Sequence, residues 1–182
     1  MCCQGTPRRP QHQERTTDRM NLEFNQDLSS NQSRHMSDTV PRMIGYWRHD
    51  FAEEGRRFPR PQDCVHRDWL DAKSRVTLLH YLQSAPKFVA YRGLSWCRFR
   101  CGVDDRTMGY REFWDGVWVW PEGLSHYVEH HDVVLPDEFM ERALHCSAPS
   151  SLPKVSSPRA VDLEFWLDWT GKYAKKRNRH QV

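Results

Sequence analysis

Four side chains near the middle of the chain have the types and the order of a metal site. Cys97 and Cys101 come first, separated by Arg-Phe-Arg, and His126 and His130 follow about one hairpin later. Zinc in a structural site takes about four thiolate or imidazole donors in a tetrahedron. Cysteines four apart converge only if the three residues between them fold into a tight knuckle. The more familiar knuckle holds two intervening residues. On a helix, positions i and i+4 share a face, so His126 and His130 can turn to one ion together. His131 is an alternative to His130, lying about 100° further round the helix. The plainer reading is that the cysteines are buried thiols and the histidines are surface residues.

The order of two cysteines, a hairpin and a histidine-bearing helix resembles a two-cysteine, two-histidine zinc finger with an enlarged hairpin. The gap from Cys101 to His126 is twice that of a short finger, and a treble-clef-like arrangement fits it equally. Such a site would supply on the order of 10 kcal/mol of apparent binding energy to folding, comparable to the net stability of a whole domain. A catalytic alternative lies in His126-Tyr-Val-Glu129-His130, which has the H-x-x-E-H spacing of inverted zinc peptidases. There Glu129 would act as general base, and a zinc metallohydrolase would need a third ligand and an open position for water. Glu164 is the available third ligand, but the two nearby cysteines would close the site. No G-x-S-x-G, Walker or dinucleotide-binding glycine pattern is present.

The elements that must hold these donors read as an α+β domain. Pro61 opens a helical region, and residues 71–84 form a clearer helix with Val76, Leu79 and Leu82 at three-residue steps and Leu78 and Tyr81 widening the stripe. Pro86 ends it. KFVAY (87–91) reads as a strand, and LSWCRF (94–99) continues in extended form to deliver Cys97. YREFWDGVWVW (110–120) is a hairpin, with Asp115-Gly116 suited to a type I′ turn. Large side chains fall on both faces of its second arm. That implies either a strand covered on both sides or an exposed aromatic surface, with Trp114, Trp118 and Trp120 as its contact residues. Pro121 starts a helix that runs to His131, and Pro136 starts another over PDEFMERAL (136–144). The expected architecture is thus two N-terminal helices, a short antiparallel sheet with a hairpin, and a finger-like or treble-clef-like histidine helix.

Composition sets the frame. The 182-residue chain holds eight tryptophans and six cysteines and carries a formal charge of +3. Residues 1–42 are polar and read as a disordered extension, with Met1, Met20, Met36 and Met43 all candidate translation starts. The domain is expected over 43–146. A Ser/Pro linker follows over 147–161, then a short amphipathic helix and basic tail over 162–182, with Leu163, Trp166 and Trp169 at three-residue steps. Residues 41–146 are nearly neutral, with fifteen basic and sixteen acidic side chains, whereas residues 147–182 hold seven basic and three acidic. Without an apolar leader or a span of 18 apolar residues, a cytoplasmic protein with reduced thiols is expected.

Residues 93–101 and the run DGVWVWPEGLSHYVEHHDVVLPDEF (115–139) resemble a group of small uncharacterised bacterial proteins. Those proteins share a cysteine pair, then DG-x-W-V-W-P-E-G-L-x-H-Y-V, then V-x-L-P-D-E-F. The resemblance covers roughly residues 43–145 and implies the domain limits but no activity. The functional expectation is a zinc-stabilised interaction module with a protein partner, not an enzyme. Nucleic-acid binding is the alternative, through a finger-like topology and the basic C-terminal tail, and it requires Arg98, Arg100, Arg106 and Arg111 to form one continuous patch.

Overall fold

A computed structural model describes residues 40–50, 52–147 and 160–179. The expected extension over 1–42 and linker over 147–161 fall mostly outside these residues. A four-stranded sheet forms the centre. Its strands are β1 (Arg42–Met43), β2 (Lys87–Ala90), β3 (Arg111–Trp114) and β4 (Trp118–Pro121), in the order β1-β4-β3-β2. β2, β3 and β4 pair antiparallel, while β1 joins β4 in parallel, with Arg42 opposite Trp118. The sheet is therefore mixed, not wholly antiparallel.

Five α-helices pack around it among the described residues: α1 (Ala72–Ser84), α2 (Asp105–Met108), α3 (Leu124–His131), α4 (Asp137–His145) and α5 (Glu164–Arg179). Asp71 caps α1, its Oδ1 accepting from the Ser74 N–H at 3.0 Å. α1 buries Leu78, Tyr81 and Leu82, an i, i+3, i+4 set, while Val76 is 68% exposed. The three-step stripe expected from the sequence is thus rotated toward Tyr81. The expected helix from Pro61 is only a 3-10 turn, Pro61–Cys64. Val65 then goes extended to bridge Val133, and Asp68 takes a positive φ of 56°, which ends any helical run.

The hairpin turns one residue later than the Asp-Gly signal suggests. Gly116 has φ +95° and is the one glycine or non-glycine of the turn with positive φ, the pattern of a II′-type bend. Asp115 organises it from a fully buried position. Its Oδ1 accepts from the N–H groups of Val117 and Trp118 at 2.8 and 2.7 Å. Its Oδ2 accepts from the Tyr81 hydroxyl at 2.5 Å and from Arg142 Nε at 2.7 Å. One carboxylate so ties the hairpin to α1 and α4.

The core between sheet and helices is aromatic. Phe139 of α4 meets Trp118, Trp120 and Tyr81 edge-on, with centroids 5.5–6.0 Å apart. Trp120 donates its indole N–H to the Leu82 carbonyl at 3.1 Å. On the other side Trp166 of α5 is fully buried against Trp47, 5.1 Å away, and donates to the Tyr46 carbonyl at 2.8 Å. The stripe of Trp166 with Trp169 and Tyr173 stacks in sequence along α5. Each such pair adds about 0.5–1.5 kcal/mol beyond area burial. No helix among the described residues is long and apolar enough to cross a membrane.

Candidate metal centre

The cysteine pair lies on a knuckle. The Arg100 N–H returns to the Cys97 carbonyl at 3.0 Å, and Arg100 itself takes φ +55° before Cys101. Three intervening residues therefore close as a turn, with one left-handed residue absorbing the extra length. Phe99 and Arg98 anchor this turn on α3. The Arg98 N–H donates to the Tyr127 hydroxyl at 2.9 Å, and the Phe99 ring lies flat on the His131 imidazole.

Cys97, Cys101, His126 and His131 converge, each offering a ligand atom within 4.8 Å of the others. Cys97 Sγ lies 3.3 Å from His131 Nε2, and Cys101 Sγ lies 3.4 Å from His126 Nε2. The two Nε2 atoms are 3.2 Å apart. Around a tetrahedral ion with bonds of about 2.0–2.1 Å to nitrogen and about 2.3 Å to sulfur, the nitrogen–nitrogen and nitrogen–sulfur edges would be about 3.3–3.6 Å and the sulfur–sulfur edge about 3.8 Å. The observed spacings match those edges within a few tenths of an ångström.

Of the four expected ligands, Cys97, Cys101 and His126 meet and His130 does not. His130 is half-exposed and faces Glu129 at 3.5 Å, outside the group of four. The reason is what the knuckle docks on. Tyr127 and His131 are the i, i+4 pair that receives it, through Arg98 and Phe99, so His131 is held beside Cys97 while His130 faces Glu129. Asp132 then leaves the helix at φ 49°, its N–H capping the Tyr127 carbonyl, so His131 sits on the last turn with freedom to lean inward. The residues sequence reasoning passed over are Phe99 and Tyr127. An aromatic in the knuckle and another four before His131 are the signal that would have selected His131.

The electrostatics favour metal-ready forms at the histidines and work against a bare thiolate. Burial, then the neighbouring His131, lowers the His126 pKa, and burial followed by His130 lowers that of His131. Both rings are held neutral, the form that ligates. Burial raises the Cys97 thiol, so its thiolate needs a cation beside it. Among the described residues His126 Nδ1 is buried without a hydrogen-bond partner, where a ligand imidazole commonly has an outer acceptor that orients it.

The other expected sites fall apart in space. Trp114, Trp118 and Trp120 are 5%, 2% and 0% exposed, so they fill the core and offer no contact surface. Helices cover one face of their hairpin, and Phe88 and α5 cover the rest. The H-x-x-E-H centre is not assembled: Glu129 and His130 pair with each other at the surface, and Glu164 is bound to Arg57. Of the four expected arginines, Arg111 faces Glu122 at 3.5 Å and Arg106 lies by Asp104, so only Arg98 and Arg100 have no acidic partner among the described residues. In the basic tail Lys172 pairs with Asp168, and Arg177 donates to the Gln62 and Val65 carbonyls. No protein-family model, curated protein or solved structure matches the chain.

Proposed function

We propose that the chain is a small binding domain stapled by one structural Zn2+ held by Cys97, Cys101, His126 and His131. The observation that carries the reading is the convergence of two sulfurs and two imidazole nitrogens within 4.8 Å of one another, with the Cys97–His131, Cys101–His126 and His126–His131 separations at tetrahedral-edge distances. Two sulfur and two imidazole donors suit zinc among common divalent ions. Four protein ligands close the coordination sphere and leave no position for a reactive water, which favours a structural over a hydrolytic role. The ion would join the knuckle to α3 and offset the cost of placing two thiolates in a half-buried cluster.

Elemental analysis of the purified protein tests this, beside Cys97→Ser and His126→Ala variants. The expected result is one zinc per chain, lost in both variants together with cooperative unfolding. Metal-free protein after zinc-replete purification, folded with the same thermal midpoint, overturns it.

A further inference from the structure

An aromatic chamber opens beside the knuckle. It has a volume of about 340 Å3 and is lined by Tyr46, Phe58, Tyr91, Trp96, Tyr110 and Glu112, among others. That volume is in the range of sites for small ligands, about 300–1,000 Å3. Glu112 sits on β3 and is only 7% exposed. Its Oε1 accepts from the Tyr46 hydroxyl at 2.5 Å and the Tyr91 hydroxyl at 2.7 Å. Its Oε2 accepts no hydrogen bond among the described residues, and no cation pairs with it. A buried carboxylate with a free oxygen, inside a ring of aromatic faces, calls for a planar group that donates N–H.

The chamber continues into an outer groove of about 470 Å3 that shares Trp96 and Arg98 with it and adds Arg48, Arg60 and Arg100. Two acids, Asp50 and Asp63, also line this groove, so four guanidinium groups outweigh them. None of the four arginines is in an ion pair among the described residues. Arg98 stacks over Trp96 at 4.0 Å and uses two of its N–H groups on the Arg48 and Trp96 carbonyls, leaving Nη2 for a ligand. A basic groove leading to a stacking chamber has the chemistry of a phosphate-linked chain with flat, hydrogen-bonding bases. A cationic peptide side chain fits less well, because Arg98 also lines the chamber, has no acidic partner among the described residues and would repel it.

We propose that this chamber and groove form a site for single-stranded nucleic acid. One base stacks among Tyr46, Tyr91 and Tyr110 with an exocyclic amine donated to Glu112, and its phosphates follow Arg48, Arg60, Arg98 and Arg100. A carboxylate accepts well from the cytosine amine. Uracil has no exocyclic amine, so oligo(C) binds more tightly than oligo(U). This assignment deepens the binding-domain reading, and rests on its zinc only in that the knuckle holds Trp96, Arg98 and Arg100.

The test is fluorescence anisotropy of the full, zinc-loaded chain with labelled 12-nucleotide oligo(C) and oligo(U), as RNA and as DNA, across a salt series. Expected are saturable binding, a preference of several-fold for C, and a log–log salt slope of about −2 to −3 from three or four contacted phosphates. Glu112→Gln removes the C preference. Tyr91→Ala weakens binding roughly five- to a hundred-fold through lost stacking. Arg48→Ala with Arg60→Ala weakens C and U alike and flattens the salt slope. Circular dichroism and zinc content certify that each variant is folded. Folded, zinc-loaded protein that binds neither oligomer at low salt overturns the assignment and leaves the zinc reading standing. So does binding untouched by these variants, or capture of a lysine- or arginine-rich peptide in place of the oligomers. A chain that contains no zinc yet binds oligo(C) with these dependences removes the zinc reading and keeps the groove.

Discussion

The ring of Phe99 lies parallel to the imidazole of His131, with centroids 4.0 Å apart and planes 9° from coplanar. Phe99 is the central residue of the cysteine knuckle, and His131 is the last residue of α3. The stack thus fixes one donor from the helix directly beneath the two donors of the loop. It also decides which of two adjacent histidines completes the cluster.

Removing His131 should therefore differ from removing His130. His131→Ala is expected to lose the zinc and most of the thermal stability, while His130→Ala changes stability by no more than about 0.5 kcal/mol, as for an ordinary surface position. Phe99→Ala should retain zinc but release it faster to a chelator, because the imidazole is no longer held in place. Zinc release to a chromogenic chelator, read beside thermal unfolding, checks all three. Equal zinc loss from His130→Ala and His131→Ala would sink the assignment.

Asp115 should be the most sensitive single acid in the fold. It is completely buried and takes bonds from Tyr81, Arg142 and two backbone N–H groups. Asp115→Ala leaves Arg142 without its partner and opens the turn, a change expected to cost about 3–5 kcal/mol. Asp115→Asn keeps the size and one acceptor oxygen and should cost less. Urea unfolding of both variants measures the difference.

Cys64 provides an alkaline dependence with a definite sign. It is fully buried, and burial, assisted by the Asp63 charge, pushes its thiol up to about 12. The unfolded value is about 8.5, so the folded state favours the protonated thiol. That contribution is complete below about pH 8.5 and is lost as pH rises toward the folded value. The stability gap between wild type and Cys64→Ala should shrink from pH 8.5 upward. The buried tyrosines, Tyr46 and Tyr127 among them, act in the same direction only from about pH 10. Urea midpoints between pH 7 and 10 isolate the thiol. A gap that stays constant over that range would show that Cys64 is not protonated by its burial.

The helix of residues 72–84, the hairpin, the two helices after it and three of the four clustered donors could be read from residue types and spacing, because those depend on local periodicity. The choice between His130 and His131 could not, since helical arithmetic sees only α3, and the deciding contacts come from Phe99 across the chain. The tryptophans failed for a related reason. Alternation in the hairpin put Trp118 and Trp120 on one face but did not say what would cover it, and Phe139 and Phe165 cover it from distant helices. Glu112 reads in sequence as the outward polar position of a strand, and only the fold turns it under Tyr46 and Tyr91. Arg48 and Arg60 lie some forty to fifty residues from Arg98 and Arg100, so no local pattern joins them.

The pairing of β1 with the segment before α5 governs when this fold can be completed. The Met43 N–H reaches the Asp162 carbonyl at 2.9 Å, the Asp162 N–H reaches Pro41 at 2.7 Å, and Trp166 closes on Tyr46 across 120 residues. During synthesis, Tyr46 and Trp47 are made early and wait for partners made more than a hundred residues later. Until residues 160–179 emerge, the aromatic face later sealed by Trp166 stays open to water and to other chains. The sheet and the knuckle can form before that seal, and ribosome stalling before residue 166 would leave a sticky, half-closed domain.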